Sequence, residues 1–118
     1  MEQEKRKFPR LCVNVEVNYV VAGVEVPEYF TTASKNLSTG GVCIVIFEKM
    51  DTGTLLDLRF SVPELNKFII AKGRVAWIRA LSMQGKTTDA GFEAGIEFVT
   101  ISEEDRRKIE EFVIAKSA

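Results

Sequence analysis

Two short stretches of this 118-residue chain carry residue types able to grip an anion or a flat heterocycle. The first, EKRKFPRL at 4–11, sets Lys5, Arg6, Lys7 and Arg10 within six positions of a chain whose formal net charge is only -1. Arg6 and Arg10 stand four apart, which on a helix would put them on one face, but Pro9 pushes Phe8 towards extended geometry and disfavours a regular helix. The pair is therefore expected on a stiffened bend. A guanidinium presents a planar fork that matches two phosphate oxygens, or the O6 and N7 edge of guanine, through parallel hydrogen bonds. The second stretch, NLSTGG at 36–41, places Asn36 and Ser38 two residues apart and follows them with Gly40 and Gly41. Asn36 offers an amide that donates and accepts, Ser38 a hydroxyl, and the two glycines let a flat ligand approach the backbone. Each stretch also has an ordinary explanation: charged termini fray into solvent, and Asn, Ser and Gly are common turn formers.

Other chemistries are poorly served. The chain has no histidine, which removes the commonest general base and the commonest metal ligand together. Serine triads, cysteine–histidine pairs and ordinary zinc sites are excluded, and catalysis and a metal are not expected. Cys12 and Cys43 each fall in a strand-like segment and are expected as buried thiols rather than as a disulfide. Glu93 and Glu97, four apart in an alternating segment, suit a solvated strand face better than an acid/base pair. Arg74 and Arg79 are five apart, so strict alternation puts them on opposite faces. Trp77, the only tryptophan, is either core or an aromatic wall beside a purine, and alternation does not decide, because both it and Ile78 have apolar companions at period two.

The elements that must hold these residues are mostly strands. Val13, Val15, Val17, Tyr19 and Val21 alternate with Asn14, Glu16 and Asn18; Leu56, Leu58, Phe60 and Val62 alternate with Asp57, Arg59 and Ser61; Phe92, Ala94, Ile96 and Phe98 oppose Glu93 and Glu97. These are three half-buried strands. Segments 28–35, 42–47 and about 67–80 complete a set of about six, separated by turn signals at 22–23, 51–53, 62–64 and across the polar stretch 82–90. Short, one-sided, mostly antiparallel strands predict a small closed barrel, since closure removes exposed edges. The period then changes: Ser102 with Asp105 forms a capping signal, and Ile109, Phe112 and Val113 fall on one stripe of a helix over 102–116. Such a chain is one domain, 11–118, with a flexible basic arm over 1–10. Its 46% hydrophobic and 28% charged content is ordinary, the longest apolar run is too short for a membrane span, and no apolar leader opens it, so a cytoplasmic protein is expected.

R-x-x-x-R in RKFPR (Arg6, Arg10), followed by N-x-S-x-x-G in NLSTGG (Asn36, Ser38, Gly41), resembles the signature of PilZ domains. LCVNVEVNYV after the arginines, GRVAWI at 73–78, AGIEFVTIS at 94–102 and a terminal helix resemble the rest of that domain in order and spacing. The resemblance implies a mainly β fold, a six-stranded antiparallel barrel with a C-terminal helix, that binds the bacterial second messenger cyclic di-GMP and needs no other cofactor. By that likeness Arg6 and Arg10 engage phosphates and guanine edges, while Asn36, Ser38 and Gly41 cradle a guanine. Asn36 stands where aspartate is common, and its neutral carbonyl makes a weaker partner for guanine N–H groups than a carboxylate does. Gly40 matches a second glycine often present, Lys5 is placed to neutralise the extra phosphates of a stacked ligand pair, and Trp77 is a possible further contact. A single domain of this kind is expected to pass its signal to a downstream protein. The alternatives are a PilZ-like interaction module of pilus or motility systems that binds no nucleotide, and a small barrel that binds single-stranded nucleic acid. Charge confined to one cluster and a pI near 5.6 disfavour a nucleic acid polymer as partner.

Overall fold

The computed structural model describes residues 11–25, 28–62, 67–83 and 86–117. Six strands and one helix follow in order: β1 Glu16–Val21, β2 Phe30–Leu37, β3 Gly41–Ile46, β4 Leu55–Val62, β5 Lys67–Met83, β6 Lys86–Ile101 and α1 Glu103–Ser117. Every strand pairing is antiparallel, and the strands close into a barrel in the order β1-β2-β3-β6-β5-β4. The β1–β4 ladder, running from Glu16 opposite Ser61 to Val21 opposite Leu56, is what closes it. Within the closed ring each strand is flanked by a partner on both sides, which protects its N–H and C=O groups from recruiting another chain.

Alternation does most of the sorting. Val17 and Tyr19 of β1, Leu56, Leu58, Phe60 and Val62 of β4, Ile69 and Val75 of β5, and Ala94 and Ile96 of β6 all point into one buried cluster. Each large side chain so buried contributes roughly 1.5–3 kcal/mol relative to exposure, and truncating Phe60 to alanine would cost about 3–5 kcal/mol. The helix joins this cluster through Ile109, Phe112 and Val113, the stripe expected from its period. Ser102 caps it: its Oγ accepts the Asp105 N–H at 3.0 Å, and its carbonyl accepts the Arg106 N–H. Glu103, Glu104 and Asp105 in the first turn and Lys116 in the last lie along the helix dipole in the favourable sense. Among the described residues no helix is long and apolar enough to cross a membrane.

Three local expectations need correction. Asn18 is buried, not on a wet face: its amide donates to Thr31 Oγ1 at 2.9 Å and its carbonyl accepts from Arg59 Nε at 3.3 Å, so cross-strand partners replace water. The polar stretch 82–90 is not all turn, because Ser82 pairs with Thr87 and Met83 with Lys86 in a hairpin that carries β5 and β6 further. Ladder bonds need no apolar side chain, which is why the composition hid it. Cys43 is buried as expected, but Cys12 is exposed, since regular pairing in the first strand begins only at Glu16 and leaves residue 12 outside it.

Candidate ligand-binding site

The segment that follows the basic stretch is fastened beside the Asn-Ser-Gly turn. Leu11 and Leu37 exchange both backbone bonds, each at 2.9 Å, as an isolated antiparallel bridge. Further along, the Ser34 N–H donates to the Val15 carbonyl, the Ser34 hydroxyl accepts the Val15 N–H at 2.9 Å, and the same hydroxyl donates to the Val13 carbonyl at 2.5 Å. Ser34 is fully enclosed, so its one hydroxyl satisfies two backbone groups that would otherwise be buried without partners. Sequence reasoning missed Ser34; the signal was a lone hydroxyl where the neighbouring strands carry apolar side chains. Leu37 lies between Asn36 and Ser38, and Leu11 is covalently next to Arg10. Lys5, Arg6 and Arg10 themselves lie outside the described residues.

The turn is held by its own polar groups. The Ser38 N–H donates to the Gly41 carbonyl at 2.9 Å, and the Ser38 hydroxyl accepts the Gly40 N–H at 3.1 Å. Gly40 in turn accepts from the Phe98 N–H at 2.9 Å, which ties the turn to β6. At Gly41 a Cβ would sit hard against the Ile96 carbonyl oxygen, so the strand contact alone demands glycine here. Ser38 and Gly41 therefore have packing duties that exist whether or not a ligand is present. Asn36 is half-buried on the outer face of β2.

From Asn36 a row of outward positions crosses four strands. Asn36 pairs with Cys43, Cys43 with Gly95, and Gly95 with Trp77. A small side chain followed by none leaves room on this face for the indole. Trp77 leans into it, covering the place where a Gly95 Cβ would be, and remains 37% exposed. It is on the outside of the barrel rather than in the core. A β-bulge between Val75 and Trp77 leaves Ala76 unpaired, which inverts the alternation beyond it. For that reason Arg74 and Arg79, five apart, share one face: Arg74 pairs with Glu97 at 3.0 Å and Arg79 Nε donates to Glu93 Oε1 at 2.7 Å.

Glu93 is the main surprise. Instead of facing water it is only 4% exposed, gripped by Lys35 of β2 and by Arg79. The Lys35 hydrogen bond is the chief cause of a Glu93 pKa below the usual carboxylate range; burial opposes it, and Arg79 adds to it. The same bond and the carboxylate's charge raise the Lys35 ammonium above the ordinary lysine value. Two cations around one carboxylate leave one net positive charge beside Asn36 and Trp77. Lys35 reaches across β3 because β2 is bulged between Ser34 and Asn36. The arrangement can attract an anion and offer a flat ring the exposed part of the Trp77 indole.

The PilZ domain family matches residues 4–115. Among solved structures the chain is similar to the Bacillus subtilis inhibitor of motility (MotI/DgrA), with a TM-score of 0.81 at 19% identity over 98% of this chain and 52% of that one. It is similar to the PilZ domain with c-di-GMP of YcgR from Escherichia coli, with a TM-score of 0.70 at 12% identity over 95% of this chain and 91% of that one. The MrkH–c-di-GMP complex of K. pneumonia gives 0.76 at 15% identity over 98% of this chain and 53% of that one. The chain thus spans about half the length of MotI/DgrA and of MrkH. At these identities the likeness shows the fold. No curated protein matches.

Proposed function

The chain belongs to the PilZ domain family, and on that premise we propose that it is a receptor for cyclic di-GMP which changes conformation on binding and passes the signal to a protein partner. The observation that carries this reading is the Leu11–Leu37 backbone pairing, which anchors the residue next to Arg10 between Asn36 and Ser38. Leu11, which follows the first motif in the sequence, is thereby held at the second, 26 positions further along the chain. That YcgR and MrkH carry c-di-GMP in their solved structures supports the choice of ligand. Arg6 and Arg10 would supply forks for phosphate and guanine edges, Asn36 a hydrogen-bonding amide, and the exposed part of the Trp77 indole a surface for a flat ring. Binding would order the basic arm over this face, and the rearranged surface is what a partner reads.

Calorimetric titration with cyclic di-GMP tests the proposal and reports directly whether one ligand or a stacked pair is taken, with Lys5 the residue expected to matter for the pair. Arg6→Ala and Arg10→Ala should each lose about 2–3 kcal/mol of binding, roughly 30-fold to 150-fold, with the barrel intact. Wild-type affinity in both variants would overturn it. No heat and no change in Trp77 emission at high micromolar ligand would leave an interaction module that binds no nucleotide.

A further inference from the structure

The face formed by β2, β1, β4 and β5 carries a second group of exposed side chains, away from the turn at 36–41. Asn18 of β1 stands opposite Thr31 of β2 and Arg59 of β4, and Arg59 stands opposite Ile70 of β5. The Arg59 Cζ lies 5.4 Å from the Tyr29 ring centroid and 5.3 Å from that of Phe68, within cation–π range of both. Its Nε is occupied by Asn18, which is itself held by Thr31. Tyr29, Phe68 and Ile70 are nevertheless 45%, 54% and 59% exposed.

Charge pairing sets Arg59 apart. Every other strand cation whose side chain is described meets a carboxylate: Lys35 and Arg79 meet Glu93, Lys72 meets Asp57, and Arg74 meets Glu97. Among the described residues none pairs with Arg59, Glu16 on the same face of β1 included. Two ring contacts and the bond at Nε restrain the guanidinium, which leaves its terminal nitrogens as the groups still able to donate. An arginine restrained in advance loses less side-chain entropy on binding than a free one. Three large apolar side chains around one arginine also match the composition of interface anchors, which are rich in aromatic residues and arginine.

We propose that this face docks a protein partner which sets one carboxylate, flanked by apolar side chains, against the Arg59 fork between Tyr29, Phe68 and Ile70. Covering the patch with apolar surface alone would bury an unpaired charge, so the occupant must bring a counter-ion. A bidentate carboxylate does this with two parallel bonds. A nucleic acid strand fits poorly, because a single cation neutralises too few phosphates and the guanidinium already lies against both rings. The surface is separate from the nucleotide face, so the two readings stand or fall separately.

The test uses the full chain, labelled with nitrogen-15, and two blocked peptides, acetyl-Leu-Glu-Phe-amide and its glutamine counterpart. The glutamate peptide should shift the Arg59 Nε–H, the Asn18 side-chain amide and the backbone amides of Tyr29, Phe68 and Ile70, with millimolar affinity about fivefold or more above the glutamine peptide. Arg59→Gln should erase that difference, and Arg59→Lys, which keeps the charge without the fork, should retain part of it. Unchanged amide dispersion in both variants confirms that they are folded. Equal responses to the two peptides, a response that survives Arg59→Gln, a response centred on residues 36–41, or none at about 10 mM overturns the proposal. So does a dimer seen in sedimentation that Arg59→Gln dissociates, since a second copy would then be the occupant.

Discussion

Arg79 and Arg59 both stand on the outside of the barrel, and both hold their guanidinium carbon within 5.5 Å of an aromatic centroid. Arg79 is closed by a buried carboxylate that it shares with Lys35, whereas Arg59 is held by the neutral amide of Asn18. Pairing register accounts for the difference. Arg79 stands directly opposite Glu93, while the cross-strand neighbours of Arg59 are Asn18 and Ile70. The first face spends its charges within the fold and keeps one net cation beside Trp77; the second leaves a whole cation and three large apolar side chains facing water. Charged groups tied into the fold respond to mutation through stability, and those left outside respond through binding.

The contact most able to break the first face is at its upper edge. Gly41→Ala would drive a methyl group into the Ile96 carbonyl, a backbone atom that cannot rotate away. Strands β3 and β6 must part there, at about 3 kcal/mol in urea denaturation, with shifted amide signals at Glu93 and unchanged ones at Arg59. A loss below about 1 kcal/mol would mean that the strands slide freely at this point.

Charge removal comes next and sets the two faces directly against each other. Glu93→Gln leaves two cations facing a neutral amide and should cost about 2 kcal/mol, less than a fully buried pair because Lys35 and Arg79 are half-exposed or more. Arg59→Gln should cost about 0.5 kcal/mol or less. Equal losses would erase the distinction. The pH dependence follows from the same pair. Glu93 is lowered in the folded state, so its contribution is present above the ordinary carboxylate pKa and disappears as pH falls through the lower folded value. Lys35 is raised, so its contribution is complete below the ordinary lysine value and is lost as pH climbs through the higher folded one. Wild-type stability should therefore fall more steeply than that of Glu93→Gln at the acid end, and the two curves should converge once Glu93 is protonated.

On the first face the smallest effect is expected at Gly95→Ala. Its methyl group would meet the Trp77 indole, a side chain with room to swing outward, so about 1 kcal/mol is lost and Trp77 emission shifts to the red. Unchanged emission would show that the indole does not rest on Gly95.

Much of the architecture was legible because it is written locally. The β4 segment Leu55–Val62 alternates without interruption, and it is found with the bounds and the inward face that alternation implies. Ser102, Ile109, Phe112 and Val113 mark the cap and stripe of α1 within a residue of the expected ends. The site was legible in its motifs but not in its supports. Asn18 and Glu93 were expected on a wet strand face and Ser34 drew no reading of its own, because each is buried only by partners that lie 13 or more positions away.

Side-chain spacing, turn chemistry and cap residues act over a few positions, so the chain alone implies strands, a closing helix and two polar motifs. Parity across a bulge depends on which strand pairs with which. Leaving Ala76 unpaired in the β5–β6 ladder put Arg74 and Arg79 on one face and Trp77 on the barrel's exterior. The strand order β2-β3-β6-β5 then brought Lys35 and Arg79 to one carboxylate, and the closing β1–β4 ladder set Arg59 against Asn18 and left it without one among the described residues. Those outcomes depend on distance in space between strands far apart in the chain, which period-two patterning does not encode.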